Sequence, residues 1–407
     1  MVATLTRIFG VHNLALAEDV VQDAFCRALE VWKFRGVPDQ PSAWLMAVAK
    51  NRALDVLRRE RTALRFAPEL AQRLASEWML VPTLEEAFEP HAISDDQLRM
   101  MFSCCDPRLS ENAQIALVLR FLCGFTVREI AAAFLIGFAA AEKRIVRAKS
   151  VLAESGGLFA IDNRDDFTAR LPAVQRALYL LFNEGYHGAS PESAVRADLC
   201  REALRLTRLL LNHPPVATAT HALYALMCLH AARLGTRLDA SGALIPLAQQ
   251  DRSRWDVALI AEGEQHLDLA ATGDAVSEYH FEAAIAAIHA CAPSAGETDW
   301  KRIVGFYDLL LRIQPSPVVE LNRAIALGES EGPERGLAAL RAIAGPERLA
   351  EYPFYAAALG EFELRCGRET AAHEHFQTAI GLARSPMERR FLEQRAAACE
   401  ESTAFSS

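Results

Sequence analysis

The sequence predicts an all-α protein: two small helical modules, the second built on a helix-turn-helix, followed by a long body of stacked helical hairpins. Three observations predict it. Alanine, leucine, glutamate and arginine, all strong helix formers, dominate the 407 residues. Apolar residues recur at i, i+3, i+4 and i+7, while alternating β-branched runs are almost absent. Charge is also partitioned along the chain. The net charge is -9, yet residues 1–153 hold 19 basic and 18 acidic residues, against 24 and 34 in residues 154–407. Within the front part, 44–61 carries five basic and two acidic residues, 62–109 four and eight, and 110–153 six and three. A basic, acidic, basic order ahead of an acidic body predicts two modules on a linker and a separate domain behind them.

A hydrophobic content of 51% and an aromatic content of 8% are those of a globular chain long enough for two or three domains. No run approaches the ~18–20 apolar residues of a membrane-spanning helix, and the first residues lack the basic and apolar regions of a signal peptide. The nine cysteines are scattered except for Cys104 and Cys105, and no CxxC occurs. Reduced, mostly buried thiols in a cytoplasmic protein are expected.

Helices are expected at 14–34, 42–61, 94–104, 110–123, 127–135 and 138–153, and from 168 onward between breaks such as "NHPP", "CAPSAGE" and "QPSP". In "AWLMAVAKNRALDVLRRERT" (43–62), Leu45, Ala49, Ala53, Val56 and Leu57 share an apolar face at 100° per residue. Trp44, Asn51, Asp55 and Arg58 share the opposite one, extended by Arg59 and Arg61. Cations at a helix C-terminus often only compensate its dipole. Behind the turn-rich "FRGVPDQPS", an aromatic beside arginines also suits unstacked bases and phosphates.

Residues 109–152 read as a helix and then a helix-turn-helix. Thr126 is the N-cap, with Glu129 as its capping-box partner. Ile130, Ala131 and Phe134 face inward, and Gly137 permits the turn. Ala141, Ile145, Ala148 and Leu152 form the buried stripe of the last helix, opposite Ala140, Lys143, Arg147 and Ser150, with Arg144 beside them. A short helix, a tight turn and a helix with a basic face suit entry into a major groove, although many three-helix domains share the pattern. Toward the C-terminus, 354–383 and 318–343 read as helical hairpins of small residues, the first turning at Gly367.

"LAEDVVQDAFCRALE" followed by "AWLMAVAKNRALDVLRRER" resembles region 2 of bacterial sigma factors of the extracytoplasmic-function type, and the helix-turn-helix segment resembles their region 4. "SDDQLRMMFSCCDPRL", "FNEGYHGASPE" (182–192), "DRSRWD" (251–256) and "ERRFLEQR" (388–395) resemble a subgroup with a tetratricopeptide-like (TPR-like) extension. The resemblance implies region 2 at 1–62, a linker at 63–108, region 4 at 109–155 and a TPR-like regulatory domain at 156–407. It implies a transcription initiation factor rather than an enzyme, with core RNA polymerase and promoter DNA as partners, no cofactor or metal, and no membrane. Glu18, Asp19, Gln22, Asp23 and Phe25 match the helix that docks on polymerase. Trp44, Asn51, Asp55, Arg58 and Arg59 match the reader of the -10 element, where Asn51 and Asp55 either touch bases or brace the loop that does. Thr126, Lys143, Arg144, Arg147 and Lys149 match the -35 module. The recognition helix opens "FAAAEK", without the Ser or Thr common there. Stacked hairpins in the C-terminal part suit a peptide, a partner protein or a small ligand and are expected to regulate in cis.

Two rival readings remain. Glu184 and His187 form ExxH, and His373, Glu374 and His375 are adjacent, but a bundle metal site needs ligands from several helices. A helix-turn-helix regulator with a TPR-like sensor accounts for 109–407 but leaves 14–61 unexplained.

Overall fold

The structure, a computed structural model, describes residues 1–9, 14–64, 96–134, 136–153, 164–187, 195–212, 216–239, 243–343, 349–383 and 386–406. Among the described residues it is all-α as expected, the single β feature being an isolated bridge between Leu238 and Leu244. The chain divides into two compact units, Met1–Ala177 and Leu178–Ser407.

In the first unit, α1 (Val2–Phe9), α2 (Leu14–Arg35) and α3 (Pro41–Leu64) share a core of Leu5, Ala17, Val20, Ala24, Ala28, Leu45, Ala49 and Ala53. Alanines at helical spacing on α2 and α3 bring the two backbones close. Helix α2 stops at Gly36, whose φ of 77° and amide bond to the Trp32 carbonyl (3.0 Å) make a left-handed cap. Trp32 and Trp44 pack at this end, their ring centroids 5.4 Å apart.

Helix α4 (Asp96–Cys104) is almost wholly buried through Leu98, Met100, Met101 and Phe102. Next come α5 (Glu111–Phe121), α6 (Val127–Ala133) and α7 (Phe138–Ala153). Helix α6 opens on the expected reciprocal cap: the Thr126 amide donates to Glu129 Oε2 (2.6 Å), and the Glu129 amide donates to Thr126 Oγ1 (3.2 Å). Ile130 and Ala131 are buried and Phe134 half-buried; on α7 the stripe Ala141, Ile145, Ala148 and Leu152 is buried throughout.

The role expected of Gly137 is corrected. Its backbone is not left-handed, a Cβ there meets nothing within 4 Å, and its carbonyl instead accepts from the Ala140 and Ala141 amides. It caps α7 rather than permitting a special turn; the left-handed glycine of this region is Gly124, φ 70°. Phe102 stacks on Phe167 (4.7 Å) of α8 (Arg164–His187), the helix within which the two units divide.

The second unit continues with α9 (Ala197–Leu211), α10 (Thr218–Ala231), α11 (Val257–Ala270), α12 (Glu278–Cys291) and α13 (Trp300–Ile313). It ends with α14 (Pro317–Glu331), α15 (Pro333–Arg341), α16 (Pro353–Arg365), α17 (Glu369–Leu382) and α18 (Pro386–Ser406). The α14–α15 turn uses Gly332 at φ 104° and the α16–α17 turn Gly367 at φ 74°, so both hairpins expected from sequence turn at a left-handed glycine. Gly328 and Gly336 admit the Phe362 ring: a Cβ on Gly328 would lie 2.3 Å from Phe362 Cζ. Ala372, Phe376 and Ala379 form the buried stripe of α17.

Candidate polymerase and promoter interface

Helix α2 buries Ala17, Val20, Ala24 and Ala28, and this phase turns Asp19, Gln22, Asp23 and Phe25 to solvent. Phe25 is 49% exposed and Leu29, one turn on, 77%. An acidic edge thus lies beside two exposed apolar side chains on this helix. Sequence reasoning found Phe25 but not Leu29. Its signal was available: Leu29 lies four residues past Phe25, off the alanine stripe. Asp23 also accepts from Arg52 Nε of α3 at 3.1 Å, which ties the two helices.

Glu18 is drawn inward. Its carboxylate, with a side chain 16% exposed, accepts from Lys149 Nζ of α7 at 2.8 Å and lies 3.8 Å from Arg120 Nε of α5. Lys149 Nζ also lies 4.9 Å from the centroid of the Phe121 ring. A residue matched to polymerase docking and one matched to DNA contact thus hold each other. No local pattern reveals this pair, which spans 131 residues.

On α3, Asn51 and Asp55 are exposed, and Asp55 has an interaction partner. Trp44 is half-buried against Trp32 and the core, so only part of its ring faces outward. Arg58 and Arg59 lie on α3, but their side chains fall outside the described residues. The strongly exposed aromatic here is Phe34, 83% exposed at the α2–α3 connection with Val37 exposed after it; it opens the "FRGVPDQPSAW" loop, which the resemblance matches to the -10 reader, although it was not singled out there.

On α7, Lys143 and Arg147 are exposed, as is Arg128 on α6. Arg144 behaves differently: half-buried, its guanidinium lies 5.2 Å from the Phe134 ring centroid, and its Nη1 is buried without a hydrogen-bond partner. Thr126 is occupied in capping α6. Val146 is exposed beside Lys143, and Phe138 is exposed at the start of α7.

Cys104 and Cys105 are buried, and burial pushes both thiols up, Cys105 to about 12, so neither is a thiolate near neutrality. Among the described residues no three His, Cys, Asp or Glu side chains gather as a metal site. Glu184 is half-buried, the His187 side chain lies outside the described residues, and His373 and His375 are half-buried. No helix among the described residues is long and apolar enough to cross a membrane.

Comparison with known proteins gives two family matches. Residues 1–63 match the sigma-70 region 2 model, which covers α1–α3, and residues 170–271 match a "Family of unknown function (DUF6596)". An "Uncharacterized protein R00370" of Rhizobium meliloti (strain 1021) is 40% identical over 383 residues, covering 94% of this chain and 89% of the relative.

Proposed function

Because the chain belongs to one family with its rhizobial relative and carries sigma-70 region 2 at residues 1–63, we propose that it acts in transcription initiation as an extracytoplasmic-function type sigma factor. In this reading it binds core RNA polymerase and directs it to specific promoters, and its C-terminal helical domain regulates it in cis. The observation that carries the proposal is the face of α2. Asp19, Gln22 and Asp23 flank Phe25 and Leu29, an exposed acidic and apolar surface on the same three helices that match region 2. Basic partner helices suit its charge, and an apolar pocket suits the two large side chains.

Promoter contact is assigned to two places. Trp44, Asn51, Asp55, Arg58 and Arg59 on α3 face the -10 element, where a base held out of the stack needs an aromatic neighbour and hydrogen-bonding side chains. The α5–α7 segment serves as the helix-turn-helix of region 4, with α7 in the major groove of the -35 element. Lys143 and Arg147 supply phosphate and base-edge contacts from an exposed face, with Thr126 near the backbone. Arg144 and Lys149 reach DNA only by leaving Phe134 and Glu18. The second unit, read as a TPR-like domain, changes polymerase access to the first.

Run-off transcription with purified core polymerase and a promoter mapped after overexpression tests this function. Promoter-specific transcripts that depend on the protein are expected. A chain that neither binds core polymerase nor yields such transcripts overturns the reading and leaves a free-standing regulator in its place. Equal transcription by the full chain and by residues 1–160 would remove regulation in cis while leaving the sigma function intact.

A further inference from the structure

The second unit handles buried charge in two ways. Glu363, almost fully buried, is bonded by both Arg341 and Arg368, so the charge is matched. Around Tyr186 positive charge gathers with no such match. The Arg237 guanidinium lies over the Tyr186 ring, 3.7 Å from its centroid, and that of Arg233 lies 5.5 Å from it. Arg237 is only 9% exposed, and its Nε is buried without a hydrogen-bond partner. Arg252 stacks 4.7 Å from Trp255 and donates Nη1 to the carbonyls of His289 (2.5 Å) and Ala292 (2.8 Å), closing the end of α12. None of these three arginines makes an ion pair among the described residues.

A narrow cleft of about 10 Å³, partly open to solvent, runs beside the cluster between Leu229, His230, Arg233, Trp255, Ala286 and His289. Burial, then the repulsion of Arg233 and Arg252, lowers His289 to about 4, so its ring is neutral near pH 7; its Nδ1 is also buried without a partner. Burial, with repulsion from Arg237 and Arg252, likewise lowers Arg233. Arginine does not shed its proton in a protein, and a ring face attracts a buried guanidinium less than water did. What such a cluster lacks is negative charge, and guanidinium forks fit the paired oxygens of an oxyanion.

We propose that this cleft is a binding site for a compact free oxyanion, a phosphate or a small carboxylate. The stretches "FNEGYHGASPE" and "DRSRWD" then have a chemical role, since they contribute Tyr186, Arg252 and Trp255. The site lies within the second unit and gives the proposed regulatory domain a ligand. It is tested on the purified chain without polymerase, so its failure is distinct from that of the transcription reading.

Inorganic phosphate and acetate, each titrated against chloride at equal ionic strength, are followed by thermal unfolding and calorimetry on the full-length protein. One oxyanion is expected to bind saturably and raise the melting temperature beyond chloride, which identifies the anion. Arg237→Gln and the half-buried Arg233→Gln are expected to weaken that binding at least tenfold. Arg335→Gln, which removes a surface ion pair with Glu331, is expected to leave it unchanged. If Arg237→Gln does not fold, Arg233→Gln decides. Stabilisation no greater than that by chloride, or an affinity that survives Arg233→Gln, overturns the site and makes the arginines a brace for α12 alone.

Discussion

The two units place their chemistry on opposite sides of the surface. In the first, the distinctive side chains stand in water: Phe25, Leu29 and Phe34 beside carboxylates, and Lys143 and Arg147 beside Val146. Of the cations of that unit drawn inward, Lys149 and Arg120 meet the Glu18 carboxylate, and Arg144 meets only the Phe134 ring. In the second unit three guanidinium groups gather about the Tyr186 and Trp255 rings with no carboxylate paired to them among the described residues. An exposed apolar and charged face is the design of a surface that meets a macromolecule, and an enclosed unmatched charge is the design of one that meets something small. Acidity of residues 154–407 as a whole therefore says little about what that unit binds.

The largest effect that breaks this comparison is on the docking face. Replacing Phe25 and Leu29 together by alanine removes two exposed apolar anchors at about 1 kcal/mol or more each, a loss of roughly thirtyfold or more in affinity for core polymerase. The melting temperature is expected to stay where it is, because neither side chain packs in the core. Competition binding against a labelled sigma factor reads the affinity. An unchanged value would move the docking surface elsewhere.

Acid should strike the second unit through its buried histidine. His289 faces Arg233 and Arg252 and meets the Trp300 ring edge-on, 5.1 Å between centroids. Its folded pKa of about 4 lies below the ordinary histidine value, so between these the unfolded chain binds more protons than the folded one. Its contribution is complete above about pH 6.5 and is lost as the pH falls toward 4, with a ceiling of about 3 kcal/mol. Denaturant unfolding from pH 7.5 to 4.5 tests this, and His289→Gln should flatten the decline. An equally steep profile in that variant would assign the acid sensitivity to other groups.

Much of the first unit was legible because its helices are amphipathic in a simple way. The apolar face of α3 at Leu45, Ala49 and Ala53, the Thr126–Glu129 cap and the buried stripe of α7 follow from spacing alone. Less was legible wherever charge meets charge across the fold. The resemblance matched Glu18 to polymerase docking and Lys149 to the -35 module, and nothing within a helical turn of either announces the other. Arg233, Arg237 and Arg252 are not a basic run, and acidic neighbours in sequence cancel them in any charge count. Gly137 misled for a different reason. Glycine is as acceptable at an N-cap as at a left-handed turn, and the sequence does not separate the two roles.

A smaller effect separates the exposed cations of α7 from the held ones. Lys143→Ala and Arg147→Ala should each lower the salt dependence of -35 binding by about one counterion in the slope, with little change in stability. Arg144→Ala should instead cost about 1 kcal/mol of stability through its lost contact with Phe134, and change the slope less. DNA-binding titrations over a range of salt, set beside unfolding midpoints, distinguish the two classes. Equal slopes for all three variants would mean that Arg144 leaves the ring when DNA arrives.

The smallest expected effect lies in the pair that joins the two proposed binding surfaces of the first unit. A partly buried lysine–carboxylate contact at 2.8 Å, reinforced by Arg120 on the other oxygen, should couple by about 1 kcal/mol in a double-mutant cycle of Glu18→Gln and Lys149→Met. Its consequence for binding is larger in meaning than in size. If polymerase takes Glu18, α7 must release it, and the coupling is then subtracted from the docking free energy. Lys149→Met alone should therefore tighten binding to core polymerase by roughly fivefold while lowering the unfolding midpoint, because about 1 kcal/mol is a factor of about five. Two measurements moving in opposite directions are hard to obtain from a merely destabilised fold. If binding weakens along with stability, Glu18 keeps Lys149 on the polymerase, and the first unit docks with its two surfaces still joined.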